Sequence, residues 1–273
     1  MSALLALASA GTFGVSDFLG GRATRSASVV SVTLLTNFAG LVIALALMFV
    51  LDGEWTAQAF AWGAVAGVGG VLGLVLLYQG LADGPNRLVS PLSAVISAIA
   101  PIIAGLLLGE RPGTLAILGL IIAPAAIWLV AGGDLKVTEQ SRRPLAFGIG
   151  AGIGFGTFFV LLAQAPDDAG AVPLVAARIA SLLVLMVVAS RTRPEVPALP
   201  ATGLALVAGV IDMTANGFFL WATLDGDLAV VGALTSLFPA TTVLLAIAFL
   251  GERLDRKQAV GLLLAIATAA LLS

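Results

Sequence analysis

Residues 96–111 read ISAIAPIIAGLLLGER, and residues 238–253 read FPATTVLLAIAFLGER. Each stretch is an apolar run that ends in Gly-Glu-Arg, and the two glutamates, Glu110 and Glu252, lie 142 residues apart. Shared composition explains chance matches among alanines and leucines, but it explains poorly a charged tripeptide that recurs in the same register. The two stretches therefore indicate an internal duplication.

The same offset aligns further pairs along the chain without a gap. Residues 1–131 laid on residues 143–273 are identical at roughly a fifth of the positions, about twice the level that the composition alone gives. We therefore predict two repeats, 1–132 and 143–273. The aligned pairs include Phe13-Gly14 with Phe155-Gly156, Asp83-Gly84 with Asp225-Gly226, and Gly119 with Gly261.

The composition places this chain in a membrane. Of its 273 residues 60% are hydrophobic and only 10% are charged, whereas a soluble protein has roughly a quarter of its residues charged. The apolar runs do not alternate with polar residues, as the strands of a membrane β-barrel do, so we predict helices. The net charge is −2, and the charged residues are spread along the chain without an acidic or basic tail, which argues against a nucleic-acid partner.

The absence of two residue types limits the chemistry. The chain contains no Cys and no His, which excludes disulfides, thiolate nucleophiles and imidazole acid–base catalysis. We therefore predict no enzyme activity, no cofactor and no bound metal, and we expect any proton coupling to use a carboxylate or the substrate itself.

Ten segments are long enough to cross a bilayer, which requires about 20 apolar residues for a helix. The predicted fold class is thus an all-α polytopic membrane protein. Because each repeat has five spans, an odd number, the second repeat enters the membrane from the opposite side, and the two five-helix repeats are inverted. Inverted repeats are common in transporters that work by alternating access. The predicted spans are residues 2–22, 28–50, 58–82, 86–108, 114–132, 145–164, 173–190, 199–222, 227–250 and 257–272.

Glycines spaced by four residues predict close helix packing. Gly148, Gly152 and Gly156 lie on one face of the sixth span and resemble a nucleotide-binding loop only superficially, because no strand precedes them. We interpret them as contacts between helices.

Three ionisable residues lie inside predicted spans, where a charge is costly: Asp17, Arg178 and Asp212. Arg178 and Asp212 are predicted at depths of about 7.5 and 15 Å from the same membrane side, so a long arginine side chain could bridge them. Asp17 lies near the other side and is predicted to be interfacial. Arg178 and Asp212 either form a structural ion pair, or have a functional role, in which Arg178 holds a substrate carboxylate or phosphate or Asp212 carries a proton.

Other polar and aromatic residues complete the candidate site. Pro91, Pro101 and Pro239 are expected to interrupt the fourth and ninth spans, and discontinuous helices at matching places indicate a transport site. The candidates for substrate binding or coupling are Asp212, Arg178, Asn216, Phe13, Phe155, Tyr78, Trp221, Ser93 and Thr235.

Ten spans, a five-plus-five duplication and the paired Gly-Glu-Arg motifs together resemble the EamA family of the drug/metabolite transporter superfamily. The resemblance covers essentially the whole chain. It implies secondary transport of small metabolites or drugs, commonly export, through a central cavity formed mainly by the first four helices of each half. For Glu110 and Glu252, at helix ends, it favours interfacial or gating roles over substrate contact.

Two predictions disagree on which side of the membrane the termini lie. The connections after odd-numbered spans hold or adjoin eleven basic residues and the even ones only Arg111, which predicts external termini, whereas the resemblance implies cytoplasmic ones. The expected partners are a small-molecule substrate and the lipid bilayer, in a monomer or homodimer, and the expected location is the cell membrane. The alternative function is that of a lipid-handling or structural membrane protein.

Overall fold

The computed structural model describes residues 1–49, 53–83, 86–133, 142–251 and 253–273, with the side chains of 78, 81–83 and 86–88 left out. The described residues form eleven α-helices and one short 3-10 turn, Asp167–Ala169, with no strand. The helices are α1 Ser2–Ala23, α2 Val29–Leu47, α3 Ala57–Asp83, α4 Asn86–Leu107, α5 Thr114–Val130, α6 Arg142–Leu162, α7 Val172–Thr192, α8 Leu199–Asp225, α9 Leu228–Thr235, α10 Phe238–Leu250 and α11 Arg256–Leu272.

The all-helical membrane fold is confirmed. Eight segments within the described residues are long and apolar enough to cross a bilayer, and α9 and α10 count together as one of them, Leu228–Leu250. Helix α5 is a shorter apolar helix. The number of ten transmembrane helices therefore stays a prediction, because α5 and α11 have only 17 residues each.

The expected interruption occurs in one repeat only. Helix α4 continues through Pro91 and Pro101, so the prediction of a break there was wrong. The equivalent span ends as α9 at Thr235 and begins again as α10 at Phe238. Pro239 lies in the first turn of α10, where a backbone N–H has no acceptor within the helix, so the N–H that proline lacks costs no hydrogen bond. A proline inside a membrane helix is tolerated when neighbouring helices pack against it, as Gly232 of α9 packs on Pro101.

The main packing contacts are made between the two repeats. Helix α1 lies along α8, and its equivalent in the second repeat, α6, lies along α3. Helix α2 packs on α8 just as α7 packs on α3, while α2 meets α7 and α5 meets α11. Each of these contacts has a counterpart under exchange of the repeats. The helix arrangement thus follows the sequence duplication, and the two repeats interlock.

Glycine brings the backbones of α6 and its neighbours together. Cβ atoms at Gly148 and Gly152 would meet the carbonyl oxygens of Val89 and Ser93 on α4, at 3.1 and 2.8 Å. A Cβ on Gly154 would lie 2.6 Å from the Cα of Gly73 on α3. The glycine-rich stretch of α6 is therefore a packing motif, as the sequence predicted, and it places α6 between α3 and α4.

Candidate functional site

Arg178 and Asp212 form an ion pair between α7 and α8. The Arg178 Nη2 donates to the Asp212 Oδ2, and the side chains are 13% and 26% exposed. The membrane depths of Arg178 and Asp212, counted from the ends of their predicted spans, were enough to predict this pair. Since both residues lie within apolar helices, each charge depends on the other for stabilisation.

Two amide side chains extend the ion pair into a network across three helices. Arg178 Nη1 donates to Asn37 Oδ1 on α2 at 3.0 Å. Asn216, one turn beyond Asp212, donates through Nδ2 to the Asp212 carboxylate at 3.1 Å and to the Asp212 carbonyl at 2.8 Å. The network therefore joins α2, α7 and α8 through hydrogen bonds that satisfy both charges.

Asn37 is a site residue that sequence reasoning missed. Its signal lies in the repeat alignment, since Thr36 occupies the position equivalent to Arg178. Helices α2 and α7 are repeat equivalents and pack on each other, so residues at nearly equivalent positions meet. An amide beside the equivalent of a membrane arginine was thus a predictable partner.

Gly40 makes room for the guanidinium group. A Cβ at Gly40 would lie 3.1 Å from Arg178 Nε and 3.4 Å from its Cζ. The end of the arginine side chain therefore lies close against α2 at Gly40. A larger residue at this position would displace it from Asn37.

A small cavity of about 10 Å³ adjoins the network. Its lining includes Arg178, Asn216, Ser181 and Phe158. Asn216 is only 2% exposed, and its Oδ1 has no hydrogen-bond partner. The amide cannot be reversed without placing Oδ1 against two oxygens of Asp212. The free acceptor thus calls for a donor, and the cavity is about large enough for one water molecule.

Asp17 is the third ionisable residue of the spans. It lies on α1, next to Ser16, whose hydroxyl donates to the carbonyl of Ala208 on α8 at 2.9 Å. Its carboxylate is within electrostatic range of Asp212. Asp17 is therefore near the site, although the ion pair with Arg178 is made by Asp212.

The aromatic candidates lie mainly in packed surroundings. Phe13 is buried and makes an edge contact with Phe159, their ring centroids 6.0 Å apart, and Phe159 in turn packs on Phe219. The ring of Phe155 packs on Gly73 of α3. The structure thus places Phe13 and Phe155 in contacts between helices. The Tyr78 side chain lies outside the described residues.

The hydroxyl candidates lie at repeat-equivalent positions. Ser93 and Thr235 are both buried, at 142 residues' separation, on α4 and at the end of α9. The hydroxyls of Thr235 and of its neighbour Ser236 have no hydrogen-bond partner. These hydroxyls mark the break between α9 and α10 and do not meet the Arg178 network.

Trp221 lines a larger groove between α2 and α8. Its side chain is 46% exposed, and the groove has a volume of about 310 Å³. Leu174 of α7 lines both this groove and the small cavity beside Arg178. The two spaces therefore share a wall of one leucine side chain.

Glu110 of the first Gly-Glu-Arg motif caps a helix of the other repeat. Its Oε1 accepts from the backbone N–H of Leu228 at 2.6 Å, and its Oε2 accepts from that of Ala229 at 2.9 Å. A carboxylate at a helix N-terminus satisfies free N–H groups and complements the helix dipole. The motif thus attaches the end of α4 to the beginning of α9. Glu252 lies outside the described residues.

Within the described ranges, no three Asp, Glu, His or Cys residues are grouped so that they could hold a metal ion.

Comparison with known proteins agrees with this architecture. No curated protein matches the chain. Among 28 solved chains that match, one described only as "Crystal structure of protein" has a TM-score of 0.79 and 17% sequence identity, over 99% of this chain and 95% of that one. This likeness shows a shared fold.

The family comparison covers nearly the entire sequence. The model of the EamA-like transporter family matches residues 1–132 and again residues 142–273. Two matches in tandem are what the duplication and the interlocked helices lead one to expect. The chain therefore belongs to the EamA-like transporter family, within the drug/metabolite transporter superfamily.

Proposed function

We propose that this protein is a secondary active transporter that exports a small organic metabolite or drug by alternating access. Membership in the family supports a transport function. The interlocked inverted repeats support alternating access: when two similar halves exchange conformations, a cavity that was open to one side of the membrane opens to the other. The driving force would be a gradient of protons or of another solute.

One observation carries the proposal: the charged network that joins α2, α7 and α8 inside the bundle. The repeat equivalents of Arg178 and Asp212 are Thr36 and Gly70, so the charges break the symmetry of the duplication. Retaining a charge among apolar helices costs about 3 kcal/mol on insertion scales. A role in transport accounts for that cost, whereas a purely structural ion pair is replaceable by apolar side chains.

The network offers a route for coupling a proton to helix movement. When Asp212 is ionised, its charge holds Arg178 of α7 against α8. A proton on Asp212 removes this attraction and leaves Arg178 bonded to Asn37 of α2. The contact between α7 and α8 would thus weaken on protonation, which allows the helices to change partners.

Transport itself is tested in proteoliposomes. Purified protein should accumulate at least one solute from a panel of amino acids, sugars, nucleotides and organic cations, and an imposed pH gradient should increase that accumulation. Liposomes that contain the folded protein but transport no member of the panel, with or without the gradient, would contradict the proposal.

The role of Asp212 is tested with two variants. Asp212→Asn removes the proton carrier but leaves Arg178 without a counter-charge, which also destabilises the fold. The double variant Arg178→Gln/Asp212→Asn lacks the carboxylate without leaving an unpaired charge, so it is the control for folding. We expect both to lose the stimulation of uptake by a pH gradient. Stimulation that persists in the folded double variant would exclude Asp212 as the proton carrier.

The alternative of lipid handling predicts a lateral opening that Arg178 faces. The groove between α2 and α8 is lined by α8 residues such as Trp221, and Arg178 does not line it. We therefore favour a solute transporter over a lipid flippase.

A further inference from the structure

The groove between α2 and α8 begins where the two helices separate. At Gly209, a Cβ would overlap the carbonyl oxygen of Thr36, so the helix backbones touch there. Toward the ends of the helices, between Leu47 of α2 and Leu224 of α8, they leave the space of about 310 Å³. This volume is in the range of sites that hold small organic molecules.

The walls of the groove are mainly apolar, with Thr214 as the one hydroxyl residue among the described side chains that line it. Leu47, Leu174, Phe218 and Trp221 contribute aliphatic and aromatic surface. Among the described residues that line it, Asp167 alone carries a charge, and it is exposed in the 3-10 turn that precedes α7. The groove thus combines an apolar interior with one carboxylate at its rim.

Asp167 belongs to an acidic end of the molecule. The backbone N–H of Glu54 donates to the carbonyl of Asp168 at 2.9 Å, so two of the connections at this end touch. The described residues of the connections after α2, α4, α6 and α8 hold five acidic residues and one basic residue. Such a surface attracts cations and repels anions, including anionic lipid headgroups. These described residues are 48–49, 53–56, 108–113, 163–171 and 226–227.

The positive charge of Arg178 does not offset this preference. Arg178 lies behind Leu174 and is paired with Asp212. A ligand in the groove therefore meets apolar walls and the negative charge of Asp167.

We propose that the groove binds an amphiphilic organic cation, with its apolar body between α2 and α8 and its charged group at Asp167. This inference rests on the proposed transport function and names the substrate class for it. Leu174 then separates the bound cation from the small cavity at Asn216.

The test compares the binding of two ions that are nearly equal in size and opposite in charge. Tetraphenylphosphonium and tetraphenylborate are equilibrated with the protein in nanodiscs of neutral phosphatidylcholine, and binding to empty nanodiscs is subtracted. We expect saturable binding of the cation and at least tenfold weaker binding of the anion. Equal binding of both ions would overturn the charge preference.

Two glycines of α8 provide a matched pair of variants. A Cβ at Gly217, which lines the groove, or at Gly203, which does not, meets no atom within 4 Å. Gly217→Leu should fill the groove and abolish cation binding, whereas Gly203→Leu should leave it unchanged. Unchanged binding in Gly217→Leu would overturn the location.

Neutralising Asp167 or its neighbour Asp168 distinguishes a direct contact between the cation and Asp167 from attraction by the acidic end as a whole. Asp167→Asn should weaken cation binding about two- to fivefold, as expected for an exposed ion pair, and this loss should shrink as salt is added. Asp168→Asn, whose side chain does not line the groove, should change binding less. An equal effect of both would refute the assignment to Asp167.

The binding assay keeps this inference distinct from the proposed function. If the cation binds as described but the proteoliposomes transport no solute, transport fails and the groove stands. If solutes are transported while the cation does not bind, the groove assignment alone is refuted.

Discussion

Removing the Glu110 carboxylate should weaken the contact between α4 of the first repeat and α9 of the second, and so lower the stability of the protein. Glu110→Ala deletes both acceptors of the Leu228 and Ala229 N–H groups, at the start of a helix of only eight residues. Truncating a capping side chain costs roughly 0.5–2 kcal/mol, and hydrogen bonds to a charged group lie at the upper end of their range. With two such bonds lost, we expect destabilisation by about 2 kcal/mol.

Gly105 gives an independent way to break the same contact. A Cβ at Gly105 would overlap Glu110 Oε2 and lie 2.8 Å from the Ala229 nitrogen, so Gly105→Ala should displace the carboxylate. Alanine also favours a helix by up to about 1 kcal/mol over glycine. The unobstructed Gly203→Ala on α8 measures this gain, which is then subtracted.

The assay is a double-mutant cycle on thermal unfolding in detergent, followed by tryptophan fluorescence. A loss of about 2 kcal/mol corresponds to a fall in Tm of about 4–8 °C. Because Gly105→Ala and Glu110→Ala remove one shared contact, the double variant should lose clearly less stability than the sum of the two single losses. The part that remains additive is the approach of the new Cβ to the Ala229 nitrogen. Additive losses, or a Glu110→Ala variant within about 0.5 kcal/mol of wild type, would refute the reasoning.

Three further variants test other parts of the bundle. Gly209→Leu should prevent the close approach of α8 to α2 and cost about 3 kcal/mol, the upper end of the usual range for overpacking, whereas Gly203→Leu on the same helix should be tolerated; equal expression and Tm would contradict the contact. Asn37→Ala should remove one hydrogen bond to a charged group, from Arg178, and lower stability by about 1.5–3 kcal/mol; an unchanged Tm would show that this bond contributes nothing. Thr268→Val replaces a buried hydroxyl that has no partner, so Tm should rise or stay level, and a clear fall would reveal an unseen partner.

Sequence reasoning found the ion pair because depth in a membrane is a nearly one-dimensional quantity. Counting residues from the ends of the seventh and eighth spans was enough to bring Arg178 and Asp212 within reach. The same counting could not find Asn37, because which helix faces Arg178 depends on how the repeats pack. That information becomes available only when α2 and α7 are recognised as neighbours.

Two other features depended on tertiary contacts. Pro91 and Pro101 have the same local effect as any proline, but the packing around α4 keeps this helix continuous, while the equivalent span is broken near Pro239. The Glu110 cap joins residues 118 and 119 positions apart, and no local pattern connects them. The sequence therefore predicted the membrane class and the duplication, but not the joints between the halves.

The interlocking of the repeats has a consequence for biosynthesis. Ser9 of α1 donates to the carbonyl of Ala215, 206 residues later, and Asn37 accepts from Arg178, 141 residues later. During translation the first five helices therefore enter the lipid before the partners for their largest packing surfaces have been made. They would be stable as individual membrane helices, but they would assemble only as the helices of the second repeat, α6 to α11, arrive. A ribosome stalled midway should thus leave a half-chain that is inserted yet loosely packed, and exposed to membrane proteases.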